Sequence, residues 1–512
     1  MRRSILLAMA LVPMGAAAQT SGVQVAQAYR EAHGPEIIRD FANLLAIPNN
    51  AGDSVGIRRN AEYIRAELER RGVTAELLEL PGVPPIVYGE LIVPGATRTL
   101  GIYIHYDGQP VDERRWTHGA WDPTLYTRLI QEGGRERPLP EDGEAIDLEW
   151  VIYARSAGDD KAPLGALLPV LSAFREGGVT PTSNLIFFFE GEEEAGSRRL
   201  GRYLERYRDR LDSIDIWLFF DGPVHQSGRP LLTFGVRGVT GMEVTVYGAS
   251  RPLHSGHYGN WAPVPGQMLA QLLASMKAED GTVLVDGFYD TVEPIGPAER
   301  EALANLPPWD EELKHELGLA RTEGEPQSLP ERLLLPSLTV RGLESGNVGS
   351  RARNVIPATA TASLGIRLVK GNDPERMRDL VEAHIRAQGY HVVREDPDME
   401  TRRRYPKIAK VIHGGGYPAA RTDMNSPIAR QLVAVVREAA GEQGLVVVPA
   451  LGGSLPLYLF TEVMNQPAVV LPIANHDDNQ HARDENLRIR NLWYGMDLYA
   501  ALLTMLPPSA MQ

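Results

Sequence analysis

Asn184-Leu-Ile-Phe-Phe-Phe-Glu190-Gly-Glu-Glu-Glu194-Ala-Gly-Ser197 decides how the rest of this sequence is read. Leu185 to Phe189 is an unbroken apolar run of strand length, the pattern of a strand buried on both faces of a parallel sheet. Glu190, Glu192, Glu193 and Glu194 follow at once. Open α/β sheets bind ligands beyond the carboxyl ends of their strands, so these acids stand where chemistry is done. Neighbouring carboxylates repel unless a cation or a shared proton compensates. Taken alone, the run reads equally well as a solvated acidic loop. Its recurrence elsewhere in the chain is what counts.

Working outward, Thr99 to His105 is a short apolar strand ending in His105-Tyr-Asp107. A metal-bound imidazole needs a partner for its other ring nitrogen, and Asp107 is placed to supply one. Val151 to Ala154 leads to Asp159-Asp160-Lys161 at the start of an amphipathic helix through Leu164, Leu167, Leu168, Leu171 and Phe174. Two aspartates there are also ordinary helix caps. Ile216 to Phe220 is followed by Asp221, and Ala468 to Ile473 by Asn475, His476 and His481. Five apolar strands thus deliver His, Asp or Glu at their carboxyl ends, which favours a metal centre over coincidence.

The chain has 512 residues, long enough for two domains or more, and its 43% hydrophobic and 23% charged content is that of a globular enzyme. A net charge of −14 without a basic stripe argues against nucleic-acid binding. The sequence contains no cysteine, which excludes disulfides, thiolate ligands and a thiol nucleophile. Residues 1–18 carry Arg2 and Arg3, a short apolar segment and Ala16-Ala-Ala18, the layout of a signal peptide. The expectation is an exported protein, placed in a bacterial periplasm, with no membrane attachment after cleavage.

Texture changes in the second half. Met242 to Tyr247 and Ala358 to Leu368 alternate apolar and polar residues like half-exposed antiparallel strands. Asp373-Pro374 opens a helix that Gly389 closes, and Tyr390 to Val393 is a last short strand. Residues 22–237 and 398–512 are therefore expected to form an α/β catalytic domain, with a mostly parallel mixed sheet flanked by helices. Residues 238–397 are expected to be an inserted α+β, ferredoxin-like domain, with Arg394 to Tyr405 as the return linker. Residues 36–45 and 54–71 are predicted helices after a polar leader, and 126–150 a surface excursion.

Two histidines and several carboxylates without sulfur suit zinc or a similar divalent ion. More acids than one tetrahedral ion can use point to two ions sharing a carboxylate, with a spare glutamate as general base. A serine hydrolase would need a G-x-S-x-G elbow between a strand and a helix, and none is found. Zinc is the first choice of ion, with cobalt or manganese as alternatives.

These residues resemble the two-zinc metallopeptidases of clan MH that include carnosinase, bacterial carboxypeptidase G and aminoacylase. His105-Tyr-Asp-Gly-Gln-Pro110 matches the H-Y-D-x-Q-P motif, implying His105 as a ligand and Asp107 as its orienting catalytic partner. Ala154-Arg-Ser-Ala-Gly-Asp-Asp-Lys-Ala162 matches G-R-G-x-x-D-D-K-G loosely, with Ser156 and Ala162 at positions usually glycine. The likeness implies Asp159 as the bridging ligand, a cis peptide to Asp160, Glu193 as general base, and Glu194, Asp221 and His481 as the remaining ligands. His481 to Glu485 resembles H-x-x-x-E. Leu253-His254-Ser-Gly-His-Tyr-Gly259 resembles the family's L-H-S-G-x-Y-G signature. That implies a lid and homodimerisation domain whose His254 reaches the partner subunit's site. Asn354, Arg367 and Ser454 fall in segments that bind the substrate carboxylate and oxyanion in the family. The implied function is hydrolysis of dipeptides or of C-terminal residues of short peptides. Removal of an N-acyl group from an amino acid is the alternative on the same metal site, and a non-catalytic binding homologue a more distant one.

Overall fold

The computed structural model describes residues 21–508. The expected signal peptide at 1–18 lies outside the described residues. The organising run forms the strand Asn184–Glu190 of an eight-stranded sheet. Across that sheet lie Thr74–Leu78, Ile86–Leu91, Asn184–Glu190, Thr99–His105, Ile216–Phe219, Ala468–Val470, Leu231–Thr233 and Val446–Val448. The four from Asn184–Glu190 to Ala468–Val470 are parallel. Thr74–Leu78 pairs antiparallel with Ile86–Leu91, which pairs antiparallel with Asn184–Glu190.

The apolar run is continuous because both faces are buried. Leu185, Phe187 and Phe189 point into the core beneath the helices Gly22–Leu45, Ala162–Gly177 and Ile489–Met505. Ile186 and Phe188 point to the opposite core, with Tyr203, Trp217 and Phe460. Burying an aliphatic or aromatic side chain is worth about 1.5–3 kcal/mol, so neither face tolerates a polar residue. Carboxylates are therefore confined to the strand's end, where the neighbouring parallel strands also end.

The smaller domain has a five-stranded, mostly antiparallel sheet in the order Ser337–Glu344, Thr359–Leu368, Gly238–Tyr247, Ile408–His413 and His391–Val393. Helices Pro265–Ala274 and Pro374–Ala387 bury Leu269, Leu272, Met377, Val381 and Ile385 in its core. The latter helix opens as expected, with Asp373 accepting from Arg376 N and Pro374 in the first turn.

Three expectations need correction. The leader before residue 36 is helical, because the helix is Gly22–Leu45 and starts at a Ser21–Gln24 capping box. Gly34-Pro35 looks like a stop, but burial of Ile37, Ile38, Phe41 and Leu45 outweighs the backbone hydrogen bond lost at Pro35. The smaller domain does not end at 397. Ile408–His413 pairs with Gly238–Tyr247 and His391–Val393, and the expected linker contains the helix Met399–Arg404. Finally, Val151–Tyr153 is not in the main sheet. It lies between Asn486–Arg488 and Thr124–Tyr126 in a separate sheet that the 126–150 excursion completes through Glu136–Arg137.

Candidate metal centre

Asp159 stands between two imidazoles. Its Oδ1 lies 2.8 Å from His105 Nε2 and its Oδ2 3.0 Å from His481 Nε2. Asp221 Oδ2 lies 3.8 Å from His105 Nε2, and Glu194 Oε2 3.2 Å from His481 Nε2. Two ligand clusters result, His105 with Asp159 and Asp221, and Asp159 with Glu194 and His481, each with donor atoms within 4.8 Å of one another. Asp159 belongs to both.

The donor set fits two divalent cations. It offers imidazole nitrogen and carboxylate oxygen only, a combination suited to zinc and its neighbours. Asp221 Oδ2 is buried without a hydrogen-bond partner among the described residues, an orphan acceptor that a cation would satisfy. Burial first, then the negative charge of Asp159 and Glu194, pushes the Asp221 carboxyl up to about 7, against the opposing pull of His105. Burial alone would raise Asp159 too, but His105 and His481 hold it well below the usual carboxylate range. These groups gain from a cation and repel without one.

The acidic run divides its labour residue by residue. Glu190 turns inward to accept from Tyr103 Oη at 2.5 Å and Ser197 Oγ at 3.1 Å. Glu192 pairs with Arg199. Glu194 turns to His481 and also accepts from Gln109 Nε2 at 2.7 Å. Glu193 lines the cavity beside Asp159 and Asp221, and its carboxylate has no hydrogen bond or ion pair among the described residues. Burial, helped by Asp221, Asp159 and Asp107 and opposed by His105, raises Glu193 well above the ordinary glutamate value. A carboxylate so raised takes up a proton more readily than a free glutamate, which suits a group that must accept and return one.

Asp107 links these parts. Its two carboxylate oxygens accept from the backbone N–H of Glu193 and of Glu194, both at 3.0 Å, and its carbonyl lies 3.1 Å from His105 Nδ1. One aspartate therefore fixes the imidazole tautomer and the turn that aims both glutamates. The Asp159–Asp160 peptide is cis.

Around the ligands the backbone is contorted. Ser156, Ser197, Asn479, His481 and Asp484 all have φ between 47° and 62°, a region non-glycine residues visit rarely. Ser156, at φ 62°, explains one departure from the motif: a glycine would adopt this conformation freely. The serine is retained with a compensating bond, accepting from Asn49 Nδ2 at 2.9 Å. A Cβ on Gly108 would overlap its hydroxyl. Ala162, the other departure, is the first residue of the helix Ala162–Gly177, where alanine is at home.

The remaining expected residues fall into two pairs. Arg367 Nη1 donates to Ser454 Oγ at 2.7 Å, and Ser454 lines the cavity. His254 and Asn354 are exposed and meet at the short ladder that pairs Leu253–His254 with Val355–Ile356, with Ser255 N bonded to Asn354 O at 3.0 Å. Neither lines the cavity, so a single chain does not bring them to the ligands.

Sequence reasoning missed two contributors, Gln480 and Arg237, and named a third, Glu485, without giving it a role. Gln480 Nε2 donates to Asp159 Oδ2 at 2.6 Å; its place next to His481 was the available signal. Buried Arg237 donates to Leu335 O and Ser337 Oγ, leaves its Nε unpaired, and has its pKa lowered to about 10 by burial and by Arg367. Glu485, fully buried, accepts from Arg155 Nη1 and from the backbone N–H of Ser156, Gly158 and Asp159 at 2.6–3.0 Å.

Residues 101–505 match the family described as Peptidase family M20/M25/M40. The chain belongs to this family. Among its relatives, the Cys-Gly metallodipeptidase DUG1 of Saccharomyces cerevisiae is 27% identical over 428 residues, 82% of either chain. The Beta-Ala-His dipeptidase of Homo sapiens is 27% identical over 427 residues, covering 82% of this chain and 77% of that one. Among solved structures, the M20 family metallo-carboxypeptidase Sso-CP2 from Sulfolobus solfataricus superposes with a TM-score of 0.72 at 26% identity, over 93% of this chain and all of the other. Human carnosine dipeptidase 1, at 22% identity and a TM-score of 0.65, covers 94% of this chain and 99% of its own and shares the fold. The family and the paired ligand clusters agree on a metal-dependent peptidase.

Proposed function

We propose that this chain hydrolyses dipeptides, or removes single C-terminal residues from short peptides, as an exported homodimer holding two zinc ions per chain. The observation that carries the reading is Glu193. Its carboxylate alone in the acidic run is tied to no other side chain among the described residues, and it lines the same cavity as Asp159 and Asp221. The relatives, two dipeptidases and a carboxypeptidase, support the substrate class.

His105, Asp159 and Asp221 would hold one ion, and Asp159, Glu194 and His481 the other. Bound there, such ions polarise a carbonyl and lower the pKa of water. Glu193 takes a proton from the attacking water as the water oxygen bonds to the carbonyl carbon. It then returns that proton to the amine as the C–N bond breaks. Asp107 keeps Glu193 aimed throughout through the backbone of the turn. Arg367, held by Ser454, offers a guanidinium to the free carboxylate of the substrate. His254 of a second subunit would supply the donor for developing negative charge on the carbonyl oxygen, with Asn354 beside it.

The test is a kinetic panel on zinc-loaded protein: dipeptides, N-acetyl amino acids and N-blocked longer peptides. Dipeptide cleavage abolished by chelation is the expected result. Faster turnover of N-acetyl amino acids would replace the reading with a deacylase, and no turnover of any class would leave a binding protein. Mixing His254→Ala with Glu193→Gln protein tests the dimer, because subunit exchange should restore part of the activity. Two inactive proteins that stay inactive on mixing would refute supply in trans. Recovery of the mature chain in a periplasmic fraction tests export.

A further inference from the structure

The cavity at the metal centre encloses about 970 Å³, the upper end of the range for small-molecule sites. It is far from uniform. Asp159, Glu193, Asp221 and His481 line it together with Leu231 of the main sheet and with Leu306, Trp309, Leu313, Leu329 and Leu333. The last five come from one segment of the smaller domain, containing helices Pro297–Ala304, Asp310–Glu316 and Leu329–Leu333. None of these five side chains is fully buried: Leu306, Trp309, Leu313 and Leu333 are half-buried and Leu329 is 44% exposed. The segment is nevertheless braced. Asp310 Oδ1 accepts from Leu329 N at 2.7 Å, Lys314 pairs with Glu311 at 2.7 Å, and Arg237 donates to Leu335 O at 2.7 Å. An apolar surface held in place and left open beside a polar reaction site is a binding surface.

Resting on the peptidase reading above, we propose that this wall is a specificity pocket for one bulky apolar side chain, large aliphatic or aromatic, flanking the scissile bond. The occupant follows from continuity and charge. Cavity and metal ligands form one space, so a side chain adjacent to the bond at the metal centre reaches the wall. The ionisable side chains facing the cavity are the carboxylates Asp159, Glu193, Asp221, Asp310, Glu316 and Asp477, with His225, His476 and His481. An acidic side chain would meet like charge there and a small one would leave the wall wet. A hydrophobic pocket discriminates by about 10–200-fold per methylene-sized difference.

The experiment compares kcat/KM of the zinc-loaded enzyme for Gly-Gly, Ala-Gly, Leu-Gly, Phe-Gly, Asp-Gly and the reversed-order series. Wild type should favour Leu or Phe at one of the two positions by at least tenfold over Ala and Asp. Trp309→Ala should erase most of that preference while Gly-Gly hydrolysis persists, which also reports correct folding. Leu313→Asn, on the same wall, should do the same and decides the matter if Trp309→Ala is poorly folded. Dipeptides cleaved with no apolar preference, or variants that slow every dipeptide equally, would overturn the pocket and leave the peptidase reading standing. No cleavage of any dipeptide would overturn both.

Discussion

Replacing Glu485 by glutamine should loosen the metal centre without touching a ligand. The carboxylate is fully buried and accepts four hydrogen bonds, two on each oxygen: Gly158 N and Asp159 N on Oε1, Arg155 Nη1 and Ser156 N on Oε2. A glutamine keeps one oxygen and presents N–H₂ at the other, so whichever way it turns, two donors face a donor. Bonds involving a charged group contribute about 1.5–3 kcal/mol each. The Arg155 guanidinium, only 3% exposed, also loses its counter-charge, and breaking a buried pair costs about 3–5 kcal/mol. These are two views of one loss, so Glu485→Gln should destabilise the protein by about 3–5 kcal/mol. Because Asp159 N and the Arg155 link to Ala482 O hold Asp159 and the His481 loop together, metal affinity should fall about 10–100-fold, the usual effect of removing a ligand's support. Urea unfolding of the metal-free protein measures the first quantity and competition with a chelator the second. A variant with an unchanged midpoint and unchanged affinity would refute the argument that this carboxylate organises the site.

Glu193→Gln should retain two ions and lose about 10²–10⁴-fold in kcat, whereas Glu194→Gln should lose metal first; elemental analysis beside kinetics separates them, and the opposite pattern would exchange their roles. Metal analysis of the active wild type should give two ions per chain, with chelation removing ions and activity together; full activity without metal would end the two-ion account. Burial raises Glu382, but bonds from Arg394 and Arg386 at 2.7 Å outweigh it and lower its pKa. Its contribution is therefore full above the ordinary glutamate value near 4.3 and is lost as pH falls through the lower folded value. Acid titration of stability should show this loss in wild type and not in Glu382→Gln, which should already be weaker at pH 7 by about 1.5–3 kcal/mol.

Much of this site was legible because its chemistry is written at strand ends. Leu185 to Phe189 could only be buried, so the acids after it had to cluster, and the same logic held for His105 and Asp221. Asp159 was read as a strand-end residue, yet its strand belongs to another sheet; apolar residues reveal burial but not the partner strand. Ile408–His413 was missed because Asp396, Pro397 and the arginines before it look like a linker, and only tertiary pairing makes the next six residues a strand. The helix before Pro35 was hidden by a local stop signal that packing overrides. Choosing Glu193 over Glu194 required the motif likeness, since neighbouring glutamates differ only in where the turn points them. Arg237 gave no sign, because an arginine between two strands stands out only once its burial is seen.

The chain supplies its ligands from both ends. His105 comes from an early strand, while His481 lies in the loop before Asn486–Arg488, which pairs with Val151–Tyr153 and is followed by the last helix, Ile489–Met505. The second ligand cluster cannot exist until almost the whole polypeptide has been synthesised and has folded back on its beginning. A chain that stops before His481 can assemble at most His105, Asp159 and Asp221. Synthesis order thus acts as a safety catch: the second ligand cluster is completed last, after the domain that walls the cavity has been made, and a chain cut short before His481 is born without it.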